Sequence, residues 1–567
     1  MDNNPGRVEG AEEAGGKRKK RNMGRNEWSR QNLDKRARND EINARKRQKI
    51  EQGEEIDTPI YATNFSQEDI ENEQRRPKKK AAVLLGYSGT GYHGMQLSAE
   101  HKTIEGELFP ALVAAGAISK ANASDPKKSS FVRCARTDKG VHASGNVISL
   151  KMIVEDEDIV QKINSHLSPQ IRVWGIEVAS KSFSCYHMCD SRVYEFLIPS
   201  HCFLPPHHST YLGKKIVEIA EKEGDLEKYK ERQAEVKGFW EDIDEKYIKP
   251  ILEGVPEDIR TVVEKALHIN EKAEDKHEPQ DFPESATTPT EPQPQEPEEK
   301  KPQLTEAEES RRREAIAITK AVKAAYLRAK RAYRIPESRL DRIQAALDQY
   351  VGTKNFFNYT IQKQHKDPSA KRYIKSFNLN RKPIIINDTE WLSLKVHGQS
   401  FMMHQIRKMV AMAAMVVRCG ADPERMRESY ENTKIAIPKA PGLGLLLERP
   451  VFDSYNKKAA DLGRGAIDFS KYEAEISEFK QREIYDRIFR EEEETNAFSS
   501  FFNHIDHFSQ EEFLYVTSGG IAAAKPSLQS NASGDAQAEG NKTGRISQRE
   551  ALAAIESENE SGGEEGG

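Results

Sequence analysis

The sequence is poor in cysteine and has no long apolar run. Its five cysteines, Cys134, Cys185, Cys189, Cys202 and Cys419, are odd in number and contain no C-x-x-C pair. So few in a chain of 567 residues argues for a reducing compartment and against a disulfide framework. No apolar stretch is long enough to span a bilayer, so a membrane is not an expected partner. The opening MDNNPGRVEGAEEAGG has no signal-peptide hydrophobic region, and its acids disfavour a mitochondrial presequence. The hydrophobic share is only 36%, against 31% charged residues, which predicts a core of about half to two thirds of the chain with disordered appendages. A large excess of either charge is missing too, since the net charge is −4. That sum hides local bias. KRKKR (17–21) and ARKRQK (44–49) are basic, while EDEDI, a Pro/Glu-rich middle and SENESGGEEGG are acidic. Local basic patches govern nucleic-acid contact more than the total does. KRKKR reads as a nuclear localisation signal, as a solvated arm that helps to hold RNA, or as both.

Changes of texture divide the chain. Residues 1–78 are polar and lack periodicity, and read as a disordered arm. KKKAAVLLGYSG opens a short apolar strand. TIEGELFPALVAAGAI has helical periodicity, with Thr103 as its N-cap. FVRCAR and NVISLKMI read as strands on either side of an RTDKGVHASG loop, VQKINSHL as a short helix, and IRVWGIEVAS and SRVYEFLIPS as strands. This order predicts an α+β unit with an antiparallel sheet over 79–203. Residues 204–338 read as a charged helical insertion, whose Pro/Glu-rich loop at 276–303 cannot form a core. The insertion ends in the basic helix EESRRREAIAITKAVKAAYLRAKRAYRI. Two readings of that helix stand open: a solvated surface helix, or a phosphate-contacting face that includes Lys323, Arg328 and Arg331. A second α+β unit is expected over 339–456. In it SRLDRIQAALDQYVG and HQIRKMVAMAAMVVRCG read as helices, the latter closed by Gly420, and RYIKSFNLN and WLSLKVHGQS as strands. A charged helical extension (457–515) and a disordered tail (516–567) complete the chain.

Three motifs carry chemistry. GYSGTGYHG matches G-x-G-x-x-G through Gly89, Gly91 and Gly94, but no helix starts at the glycines and no G-K-[ST] follows. It reads as a glycine-rich turn packed near a site. CYHMCDS offers Cys185, His187 and Cys189 as soft ligands, with His201, Cys202, His207 and His208 nearby. A structural zinc there competes with plain half-buried sheet positions, and no catalytic metal is expected. RCARTDKGVHASG places a single carboxylate, Asp138, between Arg136 and Lys139, ahead of a glycine that permits a tight turn. Neighbouring cations favour the ionised acid, which then serves as base or nucleophile. The bland alternative is a salt-bridged turn. The second carboxyl that most glycosidases need is absent from the stretch. A lone nucleophilic acid suits a reaction whose leaving group is already good, or never leaves the enzyme.

Read together, the stretches resemble one family. RTDKGVHASGNV is similar to the catalytic motif of the TruA family of tRNA pseudouridine synthases. GYSGTGYHGMQ, DSRVYEFLIPS, YVGTKNFFNYT, GQSFMMHQIRKMV and APGLGLLLERPVFDSYN resemble further family segments, in family order, over 80–200 and 340–456. The likeness is greatest to the nuclear eukaryotic branch, which modifies several tRNA positions. The resemblance implies two RRM-like, ferredoxin-like α+β halves whose antiparallel sheets run on from each other around a basic cleft. It implies Asp138 as the catalytic aspartate, Arg136 entering the base stack, Tyr194 stacking on the flipped base, and Arg407 pairing with Asp138. Lys139 and His142 are expected to support the site or to touch RNA. No cofactor is required for such an isomerisation. The expected partner is tRNA, with small nuclear or messenger RNA as further substrates, acted on by a monomer in the nucleus. A non-catalytic RNA chaperone and a hydrolase releasing free uracil are the alternatives.

Overall fold

A computed structural model describes residues 61–266 and 306–524. The basic runs at 17–21 and 44–49 and the Pro/Glu-rich 276–303 lie outside these residues. The first strand, β1 (Lys79–Tyr87), shows why its sequence is an unbroken apolar run: every residue from Ala81 to Tyr87 is buried. A strand covered on both faces has no polar side to alternate with. The remaining strands are β2 (Val132–Arg133), β3 (His142–Met152), β4 (Ile171–Val178), β5 (Ser191–Pro199), β6 (Gly352–Asn355), β7 (Lys371–Leu379), β8 (Ile384–Ile386), β9 (Thr389–Gly398) and β10 (Leu445–Val451). All ten belong to one sheet, ordered β4-β1-β3-β10-β5-β9-β7-β6, with β2 added to β3 and β8 to β9.

The expectation of purely antiparallel sheets is corrected at one junction. β10 pairs antiparallel with β5 but parallel with β3, through Leu446 opposite His142 and Leu447 opposite Ala143. A strand from the end of the second expected unit thus fills the gap between two strands of the first. The same pairing explains why β3 begins at His142, four residues before the expected NVISLKMI. The strand expected at FVRCAR shrinks to Val132–Arg133.

The helices follow their apolar periodicity. In α1 (Ile104–Ala114) the Thr103 hydroxyl accepts from the Gly106 amide at 3.1 Å, a cap worth about 1 kcal/mol. The insertion supplies α2 (Tyr211–Lys222), α3 (Glu257–Ala266) and the basic α4 (Glu306–Ala332). On α4 the residues Ala315, Val322, Ala325 and Ala329 form a small core of their own with Ile243, Ile248, Ile259 and Val263. Next come α5 (Glu337–Asp348) and α6 (Gln405–Arg418), the latter buried along nearly its whole length. Beyond β10 lie α7 (Glu473–Phe479), α8 (Asp486–Thr495) and α9 (Ala497–His507). Among the described residues no helix is long and apolar enough to cross a membrane.

Two segments expected to lack structure have ordered ends. In 61–78 a short helix, Gln67–Glu71, is capped by Ser66, Arg76 pairs with Asp156 at 2.5 Å, and the Lys78 ammonium donates to Ser119 at 2.6 Å. In 516–524 a further helical turn, Gly520–Ala523, follows a buried stretch from Phe513 to Val516. The C-terminal helices also pack into the main core. The Lys480 ammonium bridges Glu195 of β5 at 2.6 Å and Glu448 of β10 at 2.7 Å, and the Tyr485 hydroxyl donates to Glu195 at 2.8 Å. Phe479 meets Trp174 of β4 edge to face, 5.3 Å between centroids. Arg418, at the far end of α6, pairs with Asp506 of α9 in the interior, Nη2 to Oδ2 at 2.9 Å.

Candidate active site

Asp138 lies in the turn that leads into β3, and that turn is held from every side. Asn146, on β3, donates to the Ala135 carbonyl at 3.1 Å and to the Tyr87 hydroxyl at 3.2 Å. Tyr87 in turn lies 2.9 Å from the Thr137 hydroxyl. Arg192 of β5 donates to the Cys134 carbonyl at 3.0 Å. Gly140 has φ +76°, which turns the chain so that the Val141 amide reaches back to the Asp138 carbonyl at 3.1 Å. The glycine-rich turn packs against this loop, as the sequence suggested. The Met95 amide donates to the Thr137 carbonyl at 3.1 Å, and a Cβ at Gly94 would stand 2.6 Å from that same oxygen.

Asp138 is exposed as a residue, yet enough protein surrounds its carboxylate that loss of water raises its pKa above the ordinary value. Arg407 and Lys439 oppose that rise. The cations acting on Asp138 are therefore brought by the fold from 269 and 301 residues further along the chain. They are not its sequence neighbours Arg136 and Lys139, which are both exposed. Arg407 is the third residue of α6 and is buried; its Nε donates to the Ala440 carbonyl at 2.6 Å. Burial pulls its pKa down to about 10, partly offset by Asp138. Among the described residues the two are not in direct ion-pair contact; they attract through space. Tyr194 projects from β5, where it is paired with Leu447 of β10 and Val396 of β9. Its ring meets Phe401 edge to face, 5.2 Å between centroids. Burial pushes its phenol pKa up, the nearby Arg192 opposes this, and the charge of Asp138 adds to it. Tyr194 thus stays neutral at physiological pH. Asp138 thus acts through space on both a neutral phenol and a guanidinium.

A family model described as tRNA pseudouridine synthase matches residues 346–453. "tRNA pseudouridine synthase 1" of Eremothecium gossypii is 44% identical over 446 residues, 78% of this chain and 76% of that protein. The protein of the same description from Yarrowia lipolytica is 42% identical over 514 residues, 88% of each chain. The one from Saccharomyces cerevisiae is 42% identical over 451 residues, 78% of this chain and 74% of that protein. The chain belongs to the TruA family of tRNA pseudouridine synthases.

The other residues singled out in the sequence fall in different places. His142 is buried on β3, with its Nδ1 accepting from the Gly89 amide at 3.2 Å and lying 3.2 Å from the Ser88 hydroxyl. Burial pulls its pKa down to about 4, so the imidazole is neutral. The expectation that His142 touches RNA is corrected: it ties the glycine-rich turn to β3. On α4, Arg328 is exposed and Lys323 half-buried. Arg331 donates to the Glu493 carbonyl and the Asn496 side chain, both at 3.1 Å, and neighbouring Lys330 donates to Ser499 at 3.2 Å. One edge of the basic helix is therefore a dock for α8 and α9 rather than a free phosphate-binding face.

Cys185, His187 and Cys189 lie in a turn, not on a strand. The Cys185 thiol donates to the Val132 carbonyl at 3.1 Å and the Cys189 thiol to the Ser191 carbonyl at 3.2 Å, and these residues do not gather as ligands. Among the described residues the set whose ligand atoms lie within 4.8 Å of one another is His207, His208 and Asp244. Those atoms already serve each other: His207 Nε2 stands 3.1 Å from Asp244, whose other oxygen accepts from the Tyr326 hydroxyl at 2.7 Å. Two residues beside the site were missed in the sequence. Lys439 acts on Asp138, and His404, at φ +60° ahead of α6, is pulled down to a pKa of about 3 by burial, Lys439, Arg407 and Lys408. The signal available was their position, Lys439 directly before the APGLG segment and His404 three residues before Arg407.

Proposed function

We propose that this chain isomerises uridine to pseudouridine in tRNA, with Asp138 as the catalytic carboxylate. The observation that carries this reading is the convergence of Asp138, Tyr194 and Arg407 from a loop, a strand and a helix. In the reaction uracil leaves C1′, turns, and rejoins through C5. Substrate and product are isomers, so no electrons and no transferred group enter or leave. Asp138 acts on the sugar or on the base as its ionised form, which Arg407 and Lys439 favour. Tyr194 offers an aromatic face to the base and a neutral hydroxyl near the proton that leaves C5. The target uridine is turned out of its stack, because its glycosidic bond is shielded there. Arg136, exposed two residues before Asp138, fills the vacated place in the stack. Flipping costs a few kcal/mol, offset by stacking and by phosphate contacts.

The sheet reads as two RRM-like halves joined at β10, with the site in a basic cleft between them. RNA shape guides binding, which lets one enzyme serve several positions in the anticodon stem and loop and in small nuclear or messenger RNA. The enzyme acts as a monomer in the nucleus. Incubating the full chain with unmodified tRNA transcripts and mapping pseudouridine by carbodiimide adducts tests this. Adducts at anticodon-arm uridines are expected. Free uracil would indicate a hydrolase, and tight binding without either product would indicate a chaperone.

A further inference from the structure

The segment Tyr92–Gly94 is fastened to the loop that carries Asp138. The Gly140 amide donates to the Tyr92 carbonyl at 3.2 Å, and Gly94 abuts the Thr137 carbonyl. His93 lies between these two anchors. Its amide donates to the Lys102 carbonyl at 2.9 Å, which draws in the neighbouring turn, and its ring stacks on that of His101. The two centroids are 4.4 Å apart and the planes are within 18°. His93 is exposed and His101 half-buried, so the outer ring is the accessible one. Lys139 and Lys102 are exposed beside them, with the Lys102 ammonium 4.5 Å above the Tyr92 ring.

This pair has no role in the core. Among the described residues neither imidazole makes a side-chain hydrogen bond. Partial loss of water, Lys139 and His101 together hold His93 below the ordinary histidine pKa, so the outer ring is neutral at pH 7. A flat neutral ring, backed by a second ring and with the Lys139 charge acting on it, has the features that nucleic-acid sites use to hold bases without reading their sequence.

We propose that His93 and His101 form a stacking platform at the lip of the active site, on which a nucleobase next to the flipped uridine rests while Lys139 meets its phosphate. This rests on the pseudouridine synthase reading and names an RNA subsite within it. The platform offsets part of the stacking that the strand loses when its uridine turns toward Asp138.

The test compares the full-length wild type with His93→Ala, His101→Ala, His93→Phe and Lys139→Ala. The readouts are steady-state kinetics and tRNA affinity over a series of salt concentrations. His93→Ala and His101→Ala are expected to raise KM and Kd about tenfold and to lower kcat far less, with the salt slope unchanged. His93→Phe keeps a ring and restores affinity. Lys139→Ala flattens the slope of log K against log salt by about one. Unchanged KM and Kd in both alanine variants would overturn the platform while leaving the isomerase intact. A loss of kcat and melting temperature that His93→Phe does not restore would overturn it too, since that marks a structural role. A wild type that forms no pseudouridine contradicts the underlying reading instead.

Discussion

Asp138 is caught between two opposed influences. Its surroundings strip water from the carboxylate, which favours the neutral acid, while Arg407 and Lys439 favour the anion. The balance leaves its pKa above the ordinary carboxylate value, so the acid limb of kcat/KM should lie higher than an unperturbed aspartate would give. Removing a cation removes a force that lowers the pKa of an acid. Arg407→Met is therefore expected to move the acid limb of kcat/KM further up in pH and to lower kcat/KM about 10²-fold or more at neutral pH. A limb that stays in place would show that Arg407 does not act on Asp138 through charge. Arg407 itself is held by the Ala440 carbonyl, which gives the APGLG segment its part in the site.

At the scale of elements, the turn that carries Asp138 is only as well placed as the glycine-rich turn packed against it. Gly94 has φ +84°, and a Cβ there would press to 2.6 Å on the Thr137 carbonyl, one residue before Asp138. Gly94→Ala is expected to shift the loop and reduce kcat by roughly 10- to 100-fold, with a far-UV spectrum that matches the wild type. The basic helix α4 gives a second contrast. Arg331 is engaged with Glu493 and Asn496, so Arg331→Ala should lower the melting temperature by a few degrees and leave the salt slope of tRNA binding almost intact. Arg328 is exposed, so a phosphate contact remains open there, and Arg328→Ala reports on it through that slope.

Much of this level was legible in the chain. Thr103 as a cap, the continuous apolar run of β1 and the periodicity of α6 are local signals, and local physics honours them. Asp138, Tyr194 and Arg407 could be singled out because each sits in a stretch that resembles a family segment. What could not be read depends on pairing across hundreds of residues. LLLERPV carries no mark that it will slot between β3 and β5. Nothing near Lys439 announces Asp138. The cations of α4 look alike in sequence, and only tertiary packing separates Arg331 from Arg328.

At the scale of the whole molecule, the helices after β10 belong to the core. Side chains alternate along β5, so Tyr194 faces the site while Glu195 faces the opposite side, where Lys480 and Tyr485 hold it. Lys480→Met would leave Glu195 buried without its cation and is expected to destabilise the fold by about 3–5 kcal/mol, read as a large fall in melting temperature. Glu492 shows the reverse sign of effect. Burial pushes its pKa up to about 8, although it accepts from the Phe498 amide at 3.1 Å. The folded protein thus keeps a proton that the unfolded chain releases, and stability falls as pH rises from the ordinary carboxylate range to about 8. Glu492→Gln removes that dependence. Its melting temperature should exceed the wild type's near the top of this window and converge with it at the acidic end.

The isomerisation centred on Asp138 is tested most directly by tritium release from tRNA transcripts labelled at uridine C5, with wild type and Asp138→Asn side by side. Joining C5 to C1′ expels that hydrogen. Wild type should release tritium without added cofactor and without free uracil, while Asp138→Asn binds the tRNA and releases none above background. Equal release by both proteins would contradict the assignment of Asp138 as the catalytic carboxylate.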